Sequence, residues 1–130
     1  MDGNHDGEQS GVDQSVVDQR SLLMQVSNEM VKLYKTQFGR GPTKVRTNWA
    51  GPDTLITTLE NSLTPAERNM VALGEHQRLR DTRMFFQYAA ENEFRSVVER
   101  LTGRDVWAFV SGIDAEHDVS CEVFYFKPRA

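Results

Sequence analysis

Arg40, Lys44 and Arg46 surround a glycine-rich turn, Phe38-Gly39-Arg40-Gly41-Pro42. Glycines let backbone amides approach a ligand, and guanidinium forks pair with carboxylate, bicarbonate or phosphate, so the three cations form a candidate anion site. The loop follows a helix C-terminus and lacks the Gly-Lys-Ser/Thr ending of a nucleotide P-loop, which disfavours nucleotides. The plainer reading is a helix stop whose solvated cations complement the C-terminal dipole. A second basic cluster lies in Glu75 to Arg83. There His76, Arg80 and Arg83 fall at steps of four and three and share a helical face. That face suits an anion or a docking partner; alternatively it is a solvated surface laced with ion pairs.

Other reactive types lack a partner at useful spacing. His5, His76 and His117 form no metal-ligand pair, and a zincin helix would require His-Glu-x-x-His, so no metal is expected. Asp114, Glu116, His117 and Asp118 crowd one turn, but a calcium loop needs more oxygen ligands at a defined period. Cys121 lies in a strand-like run, where a thiol is ordinarily an inert apolar side chain. No nucleophile, base and oxyanion donor assemble in the sequence, so neither enzymatic activity nor a cofactor is expected.

The chain that must position these groups has 130 residues, the size of one domain. Its net charge of −4 is uneven: residues 1–20 hold five acids against one base, and the other 110 balance 14 bases with 14 acids. A neutral folded part argues against nucleic acid as a partner. The single cysteine excludes an internal disulfide and fits a reducing cytoplasm. No run reaches the roughly 18 apolar residues of a membrane span, so direct insertion is not expected.

Residues 1–14 read as a flexible acidic tail, and residues 15–130 as one α+β domain. Leu23, Val26, Met30, Tyr34 and Phe38 recur at steps of three or four and predict a first helix, stopped at Gly39. Val45, Thr47 and Trp49 alternate with polar residues, and after the Ala50–Asp53 turn a similar run follows, predicting a hairpin. Thr64-Pro65-Ala66-Glu67 is a capping box. It opens helical character that continues to about Ala90, breaks near Asn92 and resumes to Gly103. Val106–Val110 and Val119–Phe126 predict a second hairpin. The order α-β-β-α-α-β-β predicts two layers, with helices packed on a four-stranded antiparallel sheet.

The second hairpin is apolar on both faces. Strict alternation puts Val106, Ala108 and Val110 on one side with Trp107 and Phe109 on the other. Phe124 and Phe126 likewise oppose Val119, Cys121, Val123 and Tyr125, interrupted by Ser120 and Glu122. One face is covered either by helices of the same chain or by a second copy. Trp107, Phe109, Phe124 and Phe126 are the candidate dimer-interface residues.

Three further segments carry a resemblance: Phe38-Gly39-Arg40-Gly41-Pro42, Leu63-Thr64-Pro65-Ala66-Glu67, and Thr102-Gly103-Arg104 followed by Ser111-Gly112-Ile113-Asp114. In this order the chain resembles the MpsC-like family across about Ser21 to Phe126. The family comprises small bacterial and archaeal proteins first grouped as a domain of unknown function. The resemblance implies association with a Na+-translocating, membrane-potential-generating system whose membrane components resemble inorganic-carbon transporters. It transfers no catalytic or ligand residue. Together these readings predict a non-enzymatic cytoplasmic accessory protein, homodimeric and associated with a membrane transport protein. The alternative is a small-anion or metabolite sensor.

Overall fold

The computed structural model describes the backbone of residues 2–129 and the side chains of residues 16–129. Helix α1 runs Asp2–Phe38, and its bounds take in the segment read above as an acidic tail, whose side chains lie outside the described residues. It ends at Gly39, which takes φ 78°, a left-handed conformation that costs glycine little. Strands β1 (Lys44–Trp49) and β2 (Thr54–Glu60) pair antiparallel as predicted.

Thr64 caps helix α2 (Pro65–Ala72) through the reciprocal bonds of a capping box. Helical character then breaks earlier than the sequence suggests. Leu73 and Gly74 turn the chain, with Gly74 at φ 79°, before α3 (His76–Ala89), and α4 (Glu91–Thr102) follows directly at Ala90. Gly103 closes α4 in the left-handed region. Strands β3 (Val106–Asp114) and β4 (Val119–Phe126) complete an antiparallel sheet in the order β1-β2-β4-β3, confirming the α+β, two-layer expectation.

The helices lie on one face of the sheet. Val26, Met30 and Tyr34 from α1 and Phe94 and Val98 from α4 meet Leu55, Leu59, Phe109, Phe124 and Phe126 in a single core. A bulge at Trp107 corrects the predicted alternation, because the pairing shifts between Val106 and Ala108. The extra residue brings Val106 onto the buried face with Phe109 and leaves Trp107 exposed on an edge strand, as bulges characteristically re-aim side chains. Hence three of the four candidate interface residues, Phe109, Phe124 and Phe126, belong to the chain's own core. Trp107 alone of the four is open, at 61% exposure.

Candidate functional site

Strand register aligns one polar row across the buried sheet face. Thr47 pairs Thr57, Thr57 pairs Glu122, and Glu122 pairs Ser111, one residue from each strand. Leu55, Phe124 and Phe109 flank the row on one side, and Leu59, Ser120 and Ile113 on the other. Helices supply the remaining partners. The Ser27 hydroxyl from α1 lies 2.7 Å from Thr47 Oγ1, which is 2.9 Å from Thr57 Oγ1. Buried hydroxyls meet in this way because an unpaired one is costly away from water.

Glu122 is fully buried at the centre of the row. Its Oε2 accepts from the Tyr34 hydroxyl at 2.5 Å and from Gln87 Nε2 at 2.9 Å, and Gln87 Nε2 also donates to Ser111 Oγ at 2.7 Å. Glu122 Oε1 and Gln87 Oε1 have no hydrogen-bond partner among the described residues. Burial raises the Glu122 carboxyl to about 7, because an ion loses its hydration there, and bonds from Ser111, Tyr34 and Gln87 offset only part of that loss. Burial first, and then the charge of Glu122, push the Tyr34 hydroxyl well above its ordinary value. Glu122 is thus a carboxyl pushed toward neutrality and held by donors from α1 and α3.

A second buried group lies under α3. Arg83 is fully buried and grips Glu67 with both arms, Nε to Oε2 at 2.8 Å and Nη2 to Oε1 at 2.7 Å. Its Nη2 also donates to the Ser62 carbonyl at 3.0 Å, and the guanidinium lies 3.7 Å above the Phe38 ring. Burial raises the Glu67 carboxyl, but the Arg83 contacts and the Thr64 amide outweigh it and hold the group below its ordinary value. Arg83 therefore leaves the face expected for it. His76 and Arg80 remain exposed, lining a groove of about 260 Å³ with Asp114 and Glu116, which gives that groove both signs of charge.

The predicted anion loop is also committed elsewhere. Arg40 Nη1 donates to the carbonyls of Asn61 at 2.7 Å and Leu63 at 2.9 Å, clamping the link from β2 to α2. Arg46 pairs with Glu60 at 3.0 Å, and Lys44 is exposed opposite Glu60 in the register. Arg40 and Arg46 are thus engaged by groups of their own chain around Glu60 and Asn61.

In the acidic turn, Asp118 accepts the amides of Ser62 and Leu63 at 2.9 and 3.2 Å, fastening the β3–β4 connection to the start of α2. Asp114 accepts the His117 amide at 3.0 Å and contacts its ring. The ring contact raises the imidazole, and the His117 amide first, then its ring, lower the carboxyl. Cys121 faces away from the helices, and burial, then the charge of Glu122, raise its thiol.

Sequence reasoning missed the polar row. Its signal was the interruption of an aromatic strand by Ser120 and Glu122, on the same side as Phe124 and Phe126. A carboxylate in register with buried phenylalanines has to meet donors from whatever covers that face. Among the described residues, no helix is long and apolar enough to cross a membrane.

Compared with known proteins, the chain matches no curated sequence and no solved structure. One family model, described as "Na+-translocating membrane potential-generating system (MpsC)", matches residues 18–128. That span takes in every side chain of the polar row, the Arg83–Glu67 pair and all four strands, and the chain belongs to the MpsC family.

Proposed function

We propose that the protein is a cytoplasmic, non-enzymatic accessory subunit that associates with a Na+-translocating membrane system and works as a homodimer. The observation that carries this reading is the family match over residues 18–128. The placement of the charged groups supports it. Arg40, Arg83, Glu67 and Asp118 each make several internal bonds that join one element to another, which is scaffold chemistry. Arg78 and Arg80 of α3 are exposed and pair only with neighbours on their own helix or at its start, Glu75 and Asp81, which leaves them facing a partner surface. The sensor alternative loses support because Arg40 already satisfies two carbonyls and Arg46 a carboxylate.

The test is capture of a tagged copy from native cells after mild crosslinking, with mass-spectrometric identification. Recovery of a polytopic ion-transport protein, lost in the double variant Arg78→Glu/Arg80→Glu, is the expected result. Recovery of this chain alone from crosslinked membranes overturns the membrane association.

A further inference from the structure

Among the described residues, nothing covers the face of the sheet turned away from the helices. Its apolar residues are Ile56 on β2, Cys121, Val123 and Tyr125 on β4, and Ala108 and Val110 on β3, bordered by Thr54 and Thr58 on β2 and by the polar β1. Ile56, Val123 and Val110 are in direct register and form an apolar band over three strands. A solvated antiparallel face ordinarily alternates with polar side chains; here the central strand β4 turns none of Asp, Glu, Lys or Arg outward.

Two charged corners bound this band. Register places Lys44, Glu60, Val119 and Asp114 in one row, so a cation stands at the β1 edge and a carboxylate at the β3 edge. Arg46 lies on the same side as Lys44, two residues along β1. A second copy can stack on this face by a twofold axis in the plane between the sheets. If the axis runs along the strands, each β1 lies over the partner's β3 and each β2 over its β4. Lys44 then meets the partner's Asp114, and Ile56 the partner's Val123. An axis across the strands would instead lay β1 on β1 and oppose cation to cation.

The dimensions also suit a dimer. Strands spaced by about 4.8 Å and rising about 3.3 Å per residue give a face of roughly 20 by 25 Å. In plan that is about 500 Å² per copy, or about 1,000 Å² for the pair, at the small end of specific interfaces.

We propose that this outer sheet face is the homodimer interface, packed sheet to sheet about an axis along the strands, with Lys44 of each copy against Asp114 of the other. The inference rests on the self-association in the proposed function and names its surface. It replaces the aromatic set suggested by the sequence, of which the helices cover Phe109, Phe124 and Phe126.

Light scattering on the full chain at micromolar concentration should give twice the monomer mass of 14.8 kDa. Val123→Glu should give a monomer with unchanged far-ultraviolet circular dichroism. Lys44→Glu should weaken the dimer roughly tenfold, since two symmetric contacts are lost, and adding Asp114→Lys to it should restore affinity. As a readout needing no variant, Cys121 of the wild type should react faster with a thiol reagent once dilution separates the copies. A wild-type monomer overturns self-association itself. A dimer indifferent to both Val123→Glu and Lys44→Glu overturns this interface while leaving the dimer standing.

Discussion

The Tyr34 hydroxyl on α1 donates to Glu122 Oε2 on β4 at 2.5 Å, joining two residues 88 positions apart in the buried layer between helix and sheet. The bond ties the longest helix to the central strand through a group that titrates near neutrality. Several measurable properties depend on it.

Glu122 should make stability depend on pH. Its folded value of about 7 lies above the ordinary 4.5, so the folded state binds more protons between those values. The contribution is therefore fully present below about pH 4.5 and is lost as pH rises through about 7, to a limit of roughly 3 kcal/mol. Chemical denaturation across this range should show the loss in wild type, while Glu122→Gln should flatten the profile and be the more stable of the two above neutrality.

Tyr34→Phe should move the Glu122 titration further up, because the hydroxyl donates to the charged form. A loss of about 1–2 kcal/mol should accompany it, the cost of leaving a buried acceptor short of a donor. Carbon-13 NMR of the Glu122 carboxyl reads the shift directly, and a purely packing effect would leave the titration where it was.

Arg83→Met should destabilise the fold by about 3 kcal/mol, since it leaves the Glu67 carboxylate and the Ser62 carbonyl without their donor. Arg83→Lys should recover only part, as an ammonium cannot reproduce the two-armed grip or lie flat over Phe38. Urea midpoints for the three proteins give the order expected, with wild type highest.

Phe124→Ser and Trp107→Ser should separate sharply. Phe124 is fully buried among Phe109, Leu55 and the helices, so its loss should cost about 3–5 kcal/mol. Trp107 stands exposed at the bulge, and its replacement should change monomer stability by no more than about 0.5 kcal/mol. Thermal melts of the two variants test the assignment of the two faces.

What was legible in the sequence was whatever depended on local chemistry. Gly39 and Gly103 stop helices because only a left-handed residue closes them at that point, and Thr64 with Glu67 announces a helix start through bonds within one turn. Both hairpins followed from alternation and turn residues. The break at Gly74 was hidden because a single glycine separates apolar residues on either side, Met70 and Leu73 before it and Leu79 after it. The bulge at Trp107 was hidden because a single extra residue is invisible to a period of two. Arg83 read as surface since its binding partners, Glu67 and Ser62, lie 16 and 21 residues away. The row through Glu122 depends on pairings between strands that no local pattern contains.

That row also fixes which neighbours β4 accepts. Slid by two residues along β2, the strand would keep its buried face but bring a carboxyl opposite Leu55 or Leu59 in place of Thr57. Slid by one, it would turn Phe124 and Phe126 out into water. A buried acid matched to one row of polar partners thus acts as a key for strand alignment. It raises the energy of misregistered sheets that hydrophobic burial alone would tolerate, at some expense in the stability of the correct one.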